Sequence, residues 1–200
     1  MTIRAVFFDF GGVLQRTEYQ APRQQLAQRF GMDYDDIDKL VFGGESARRA
    51  SVGEITEDVH WASVLKRLKR PDSEMQSIKD EFFAGDVIDH ELVEFIRSLG
   101  RKVHVGLISN AWDGMRPFLE KSGLIELFAT VIISAEVGVM KPEAKIYHLA
   151  LEQAQVQANE AVFVDDVPVN IEACEKVGMK GVLFKNQQDA VKQLKQILKR

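Results

Sequence analysis

The sequence of 200 residues has little cysteine, little proline and no long apolar run. The one cysteine, Cys174, cannot form an intramolecular disulfide, so a reducing compartment fits best and we expect a cytoplasmic protein. No apolar run is long enough to cross a bilayer. The N-terminal segment also lacks the basic region, long apolar stretch and cleavage site of a secretory signal. We therefore expect no membrane partner.

An excess of basic residues is also missing. The chain has 26 lysines and arginines against 30 aspartates and glutamates, which gives a net charge of -4. Such a chain lacks the electrostatic footprint of a nucleic-acid-binding protein, so no nucleic-acid partner is expected. Its 46% hydrophobic and 28% charged residues are ordinary for a globular protein. Nothing in the sequence indicates an oligomeric state.

Short apolar runs rich in β-branched and aromatic residues predict five buried strands. They cover residues 3–8, 103–108, 130–133, 161–164 and 181–184. Segments with helical periodicity separate the later strands, and strands that are apolar throughout are typical of a parallel sheet covered on both faces. The pattern predicts an α/β protein with a Rossmann-like, doubly wound parallel sheet, formed by residues 1–15 and 86–200.

The interval between the first two predicted strands is far longer than one crossover helix requires. It contains no convincing strand, and its periodicity predicts four helices. These lie near 22–30, near 34–42, after Thr56 and from Ser73, where Gln76 would complete a capping box. Residues 16–85, called the helical insert below, are therefore expected to form a helical-bundle cap beside the carboxyl edge of the sheet.

Chemically competent side chains follow four of the predicted strands. In doubly wound folds, ligands bind beyond the carboxyl ends of the strands, so these side chains are expected to meet. They are Asp9 after the first strand, Ser109 and Asn110 at the end of the second, Lys141 after the third, and Asp165 and Asp166 after the fourth.

Each residue type at this edge has a task in phosphoryl transfer. Asp9, at the end of a rigid strand, is the candidate nucleophile. Its carboxylate and the pair Asp165–Asp166 are hard oxygen ligands suited to Mg²⁺. Lys141 can bind phosphate as a point charge, and Ser109 can donate its hydroxyl together with nearby backbone N–H groups. The sequence thus predicts a magnesium-dependent phosphatase that acts on a small phosphorylated metabolite.

Four segments resemble the motifs of the haloacid dehalogenase superfamily, and the resemblance covers nearly the whole chain. The segments are 8–14, 107–110, 138–142 and 163–166, the last continued by Asn170, Ala173 and Gly178. The helical insert stands where the commonest cap type of that superfamily is inserted. The resemblance implies that Asp9 forms an aspartyl-phosphate, with Lys141 as its catalytic partner. It also implies that Ser109, Asn110 and Lys141 bind the phosphate.

The metal ligands implied by the resemblance are Asp9, Asp166 and the backbone carbonyl of Gly11, with Asp165 assisting. The sequence departs from the superfamily at one position. Its phosphatases usually carry a second aspartate two residues after the nucleophile, which protonates the leaving group, and here that position is Gly11. General acid–base catalysis contributes about 10²–10⁴ in rate. A group near the insert such as Glu18 is a candidate substitute.

Two other functions remain open from the sequence. A metal-free 2-haloacid dehalogenase would also use Asp9 and would need no aspartate at position 11. Asp165–Asp166 argues against it, because uncompensated carboxylates raise the pKa of a nearby nucleophilic carboxyl. The second alternative is a degenerate, non-catalytic binding protein of the same fold, which Gly11 leaves open.

Overall fold

A computed structural model describes residues 2–199 of the chain. Its strands form two sheets, one of five strands and one of two. In chain order the strands are β1 (Ala5–Phe8), β2 (Gln15–Thr17), β3 (Asp86–Ile88), β4 (His104–Ser109), β5 (Thr130–Ile133), β6 (Ala161–Asp165) and β7 (Lys180–Leu183).

Eleven α-helices lie within residues 2–199, with short 3₁₀ turns at Asp72–Glu74, Ile125–Leu127 and Ala158–Glu160. None of these helices combines the length and the apolarity that a membrane crossing requires. The helices are α1 (Ala21–Arg29), α2 (Tyr34–Phe42), α3 (Gly44–Ser51), α4 (Glu57–Leu68), α5 (Met75–Phe83), α6 (His90–Leu99), α7 (Met115–Lys121), α8 (Ser134–Val137), α9 (Ala144–Ala154), α10 (Pro168–Val177) and α11 (Gln187–Leu198).

The larger sheet has the order β5–β4–β1–β6–β7, and all its pairings are parallel. Alternate side chains of β1 point to opposite faces, as the period of two in a strand requires. Val6 and Phe8 pack with residues of α6 and α11, whereas Ala5 and Phe7 pack with residues of α9 and α10. The predicted α/β class and the parallel, doubly covered sheet are confirmed, and the predicted strands agree within two residues at each end.

Helices α1, α2, α4 and α5 pack around a hydrophobic cluster of their own, centred on Trp61, Leu65 and Phe82. These four helices match the predicted ones, but α3 was missed. It begins with a glycine, and alanine is its only apolar residue type, so no large apolar side chain marks it as a helix in the sequence. The predicted capping box at Ser73 was wrong, because Ser73 lies in a 3₁₀ turn and α5 begins at Met75 without a side-chain cap.

The expectation that no strand exists between the first predicted strand and Asp86 was also wrong. Strands β2 and β3 form a short antiparallel ribbon at the two ends of the helical insert. The Thr17 hydroxyl donates to Asp86 Oδ1 at 2.7 Å. On the sheet side of the ribbon, Arg16 Nη2 donates to Asp89 Oδ2 at 2.9 Å. The sequence concealed this pairing because the strands have three residues each and lie about 70 residues apart.

Candidate active site

Three charged side chains are buried together at the carboxyl ends of β1 and β6. Asp9 directly follows β1, which pairs in parallel with β6, and this register brings Asp9 beside Asp165. Lys141 Nζ lies 2.8 Å from Asp9 Oδ1 and 2.7 Å from Asp165 Oδ2. The exposed fractions are 7% for Asp9, 2% for Lys141 and 0% for Asp165. The predicted meeting of these residues at one edge of the sheet is thus found in the structure.

The Asp165 carboxylate is held by donors on both of its oxygens. Oδ1 accepts from the backbone N–H of Val167 at 2.8 Å, and Oδ2 accepts from Lys141. The side-chain amide of Asn170 lies 3.1 Å from both oxygens. The Tyr147 hydroxyl in turn donates to the backbone carbonyl of Asn170 at 2.9 Å. Asp165 is therefore held in place by Lys141, Val167 and Asn170 together, and sequence reasoning gave no sign of the contact between Tyr147 and Asn170.

Asp166 reaches the same site from the next residue, and it is exposed where Asp165 is buried. Carboxylate oxygens of Asp9, Asp165 and Asp166 lie within 4.8 Å of one another. Asp166 packs against Gly12, where an added Cβ would lie only 2.2 Å from Asp166 Oδ2. Gly12 also has a φ of 76°, a left-handed conformation that glycine adopts without strain. Glycine at position 12 therefore makes room for Asp166 beside the nucleophile position.

Gly11 has different surroundings from Gly12. It is exposed, its φ lies outside the left-handed region, and an added Cβ would meet no atom within 4 Å. The backbone thus has space for a larger side chain at the position where the superfamily's phosphatases carry their acid. Glu18, the suggested substitute, accepts a hydrogen bond from Arg16 Nε at 3.1 Å.

Negative charge exceeds positive charge at this site. Burial raises the pKa of Asp9 to about 6; the neighbouring Asp165 carboxylate adds to the rise, and the Lys141 ammonium opposes it. Asp166 is exposed in part, and partial desolvation of its carboxyl, followed by repulsion from Asp165, also raises its pKa. One ammonium thus faces three carboxylates, and a divalent cation would compensate the difference. The donors are all hard oxygens, which fit Mg²⁺ rather than a soft metal.

The end of β4 contributes the remaining predicted residues. Ser109 is buried as the last residue of that strand, one strand away from Asp9. The side-chain amide of Asn110 points at the backbone of Lys141: its Nδ2 donates to the Lys141 carbonyl at 2.9 Å. Its Oδ1 accepts from the Lys141 N–H at 2.8 Å. Phosphate binding by Ser109 and Asn110 stays a prediction, and the observed partner of the Asn110 side chain is Lys141.

The loop after Asn110 is anchored in the helical insert. Trp112 packs against the insert's hydrophobic cluster, and its ring stacks on Phe42 with centroids 5.9 Å apart. Asp113 Oδ1 accepts from the backbone N–H of Glu57, at the start of α4, at 2.8 Å. The sequence left Trp112 open between substrate contact and packing, and the structure shows it in a packing position.

Comparison with known proteins agrees with this geometry. A model of the haloacid dehalogenase-like hydrolase family matches residues 3–178. Among curated relatives, bifunctional epoxide hydrolase 2 of Mus musculus is 31% identical over 217 residues, with 98% of this chain covered. The chain spans only 39% of that relative's length. A phosphorylated carbohydrates phosphatase of Thermotoga maritima is 25% identical, over 90% of this chain and 84% of the relative.

Solved structures share the fold over almost the whole chain. A haloacid dehalogenase family enzyme from Bacteroides thetaiotaomicron, in complex with magnesium and inorganic phosphate, superposes with a TM-score of 0.75. It is 20% identical and covers 92% of this chain and 94% of its own. A 2-haloacid dehalogenase from Pseudomonas syringae has a TM-score of 0.65 at 20% identity, covering 100% of this chain and 99% of its own. At these identities the likeness shows the fold and does not separate the two chemistries.

Proposed function

The chain belongs to the haloacid dehalogenase-like hydrolases, and on that premise we propose that it is a magnesium-dependent phosphatase. Its substrate is the phosphate monoester of a small metabolite, and its covalent intermediate is an aspartyl-phosphate at Asp9. Residues 16–85 act as the cap over this site. The free and buried Cys174 agrees with a reducing compartment, for which we propose the cytoplasm.

One observation carries the proposal: three carboxylates lie within 4.8 Å of one another with a single ammonium, Lys141, among them. If these acids had only a structural role, the repulsion between their like charges, two of them buried, would destabilise the folded protein. The carboxylates of Asp9 and Asp166 and the backbone carbonyl of Gly11 would hold Mg²⁺, with Asp165 close behind them. When bound, the ion neutralises charge on the phosphoryl oxygens and on the approaching carboxylate.

The protein's own residues then divide the reaction between them. A carboxylate oxygen of Asp9 attacks the phosphorus, the bond from phosphorus to the ester oxygen breaks, and the alcohol leaves with a proton taken from solvent. Lys141 holds the phosphoryl group by charge, and Ser109 donates a hydrogen bond to it. Water next attacks the phosphorus of the aspartyl-phosphate, which releases inorganic phosphate and restores Asp9.

The dehalogenase alternative makes opposite demands on the same site. Displacement of halide from carbon needs no cation, and it would leave Asp166 as an unpaired charge beside Asp9. The close approach of three carboxylates, whose oxygens lie within 4.8 Å of one another, therefore favours the phosphatase.

A substrate screen tests the proposal. The full chain is assayed against phosphate monoesters and 2-haloacids, each with Mg²⁺ and with a chelator. We expect release of phosphate only with Mg²⁺, no release of halide, and loss of the Mg²⁺ dependence of the melting temperature in Asp166→Asn. Halide release in chelator would replace the proposal with the dehalogenase. Turnover of neither substrate class in the presence of Mg²⁺ would indicate a non-catalytic protein.

A further inference from the structure

The side chain of Asn110 forms a closed pair of hydrogen bonds with the backbone of Lys141. The amide donates to the Lys141 carbonyl at 2.9 Å and accepts from the Lys141 N–H at 2.8 Å. The two residues are 31 positions apart in the chain. This pair of bonds fixes the two peptide groups on either side of the Lys141 Cα, from which the Lys141 side chain extends.

Lys141 needs such support because its side chain has little freedom to correct an error in its backbone. The ammonium bridges Asp9 and Asp165, and the residue is only 2% exposed. Bridging hydrogen bonds weaken steeply with distance and angle, so a small shift of the backbone would break one of them. A phosphate-binding ammonium also works only when it is held within a fraction of an ångström of its place.

The loop that follows Asn110 is anchored by contacts of its own. Ser134 Oγ bonds both the N–H and the carbonyl of the next residue, Ala111, at 3.0 and 3.2 Å. Farther along the loop, Trp112 packs into the insert's cluster and Asp113 caps the start of α4. The residues that follow Asn110 are thus fixed to the segment after β5 and to the helical insert, while Asn110 itself contacts Lys141.

We propose that Asn110 is a positioning residue that acts on the substrate phosphate through Lys141, and that the anchored loop 110–113 makes that position depend on the seating of the helical insert. The role rests on the proposed function, because it concerns the ammonium that binds the phosphate. It differs from direct contact between the Asn110 side chain and the phosphate, in which Lys141 and Asn110 would act independently.

A double-mutant cycle separates the two roles. Binding of inorganic phosphate in the presence of Mg²⁺ is measured by calorimetry for the wild type, Asn110→Ala, Lys141→Met and the double variant. We expect Asn110→Ala to weaken phosphate binding about tenfold in the wild-type background. In the Lys141→Met background it should have almost no effect, because residues that act as a unit are not additive. Equal losses in the two backgrounds would overturn the proposal in favour of direct contact.

A matched control distinguishes positioning from a general loss of stability. Asn186 also accepts a backbone hydrogen bond with its side chain, from Asp189 N–H at 2.9 Å, at the start of α11. Asn186→Ala should lower the melting temperature without changing phosphate affinity. If Asn110→Ala likewise lowers only the melting temperature, Asn110 has a structural role and the positioning proposal is wrong.

A crystal structure of Asn110→Ala keeps the proposal testable if Lys141→Met does not fold. The expected result is a Lys141 ammonium that no longer lies within hydrogen-bond distance of both Asp9 and Asp165. An unmoved ammonium would contradict the proposal. Mg²⁺ binding without phosphate, measured on the same variant, should be retained, because the proposed ligands Asp9 and Asp166 are not altered. If the wild type itself binds neither Mg²⁺ nor phosphate, the proposed function fails before the positioning role is tested.

Discussion

Within residues 2–199, a cation is buried among acids in two places, and the two clusters differ in how the charges are paired. In the helical insert, Arg23 Nη1 lies 2.7 Å from Asp38 and its Nη2 lies 3.1 Å from Asp86. Arg23 also lies 4.0 Å from the Phe82 ring centroid, a cation–π contact. Every acid of this cluster touches the guanidinium, so the charges hold the insert together without needing a further ion.

At the sheet edge the charges are not matched in this way. Lys141 contacts Asp9 and Asp165, whereas no ion pair within residues 2–199 involves Asp166. The pKa values of Asp9 and Asp166 are both raised, first of all by burial. A buried charge cluster is structural when each charge has a partner. A surplus of one sign, aimed at a common point, indicates a site that takes a ligand of the opposite sign.

The largest expected difference between the two clusters is in turnover. Asp9→Asn should lower the rate of phosphate ester hydrolysis by about 10³ or more, because the amide is not a nucleophile. Its melting temperature should not fall, because burial already disfavours the charged carboxylate. Asp38→Asn is the matched change at Arg23. It should leave turnover unchanged and reduce the free energy of unfolding by about 1 kcal/mol. Activity in a clean preparation of Asp9→Asn would contradict the assignment of a catalytic role to the cluster at the sheet edge.

Substitutions in the interior of the insert should change the free energy of unfolding and not the chemical step. Trp61 is fully buried, and Trp61→Ala should reduce the free energy of unfolding by about 3–5 kcal/mol in urea titrations. The indole N–H of Trp61 has no hydrogen-bond partner within the described residues. Trp61→Phe, which removes that donor and keeps an aromatic ring, should therefore cost less than about 1.5 kcal/mol. Equal losses in both variants would contradict this expectation.

A substitution at Gly11 is expected to raise the activity of the site at the sheet edge. Gly11→Asp should accelerate hydrolysis of alkyl and sugar phosphates by up to about 100-fold, and that of aryl phosphates much less. The reason is that poor leaving groups need a proton, and the structure has space at position 11 without a left-handed backbone. Single-turnover rates on a series of leaving groups provide the measurement. A flat series in the wild type, with harm from Gly11→Asp on every substrate, would mean that another acid such as Glu18 already acts.

A further difference is expected in the pH dependence of stability, where the two regions have opposite signs. Burial lowers the pKa of His60 below its usual 6.5, so its contribution to stability is lost as the pH falls below 6.5. Asp9 has a raised pKa of about 6, so its contribution is full below about pH 4 and is lost as the pH rises through 6. Urea unfolding between pH 4 and 7 should show that His60→Gln and Asp9→Asn change the slope in opposite directions. Shifts of the same sign would contradict this reading.

The contrast between strand ends and long-range contacts explains what the sequence could predict. The strands were predictable because each is a short apolar run, and parallel strands bring their carboxyl ends to one edge. Asp9, Lys141 and Asp165 could therefore be placed together from the sequence. Helix α3 and the ribbon of β2 with β3 could not be predicted. Helix α3 has no apolar residue larger than alanine, and the ribbon depends on pairing across the whole insert.

Partner choice within the site was also beyond the sequence. Asn110 stands next to Ser109 at a strand end, which suggests contact with phosphate, yet its amide faces the Lys141 backbone. Asp165 and Asp166 are neighbours of the same type, yet one is buried under Lys141 and the other is exposed beside Gly12. These differences follow from backbone direction and from contacts between distant segments, which residue type and spacing do not record.

The most direct test of the account is to trap phosphate on Asp9. The full chain is mixed with Mg²⁺ and a phosphate ester that it hydrolyses. The reaction is quenched in acid during turnover, and the protein is digested and analysed by mass spectrometry. We expect a phosphorylated peptide that contains Asp9, and we expect this phosphorylation to be absent in Asp9→Asn and in samples with chelator. Turnover accompanied by no phosphorylated Asp9 peptide, or by one carrying phosphate on another residue, would contradict it.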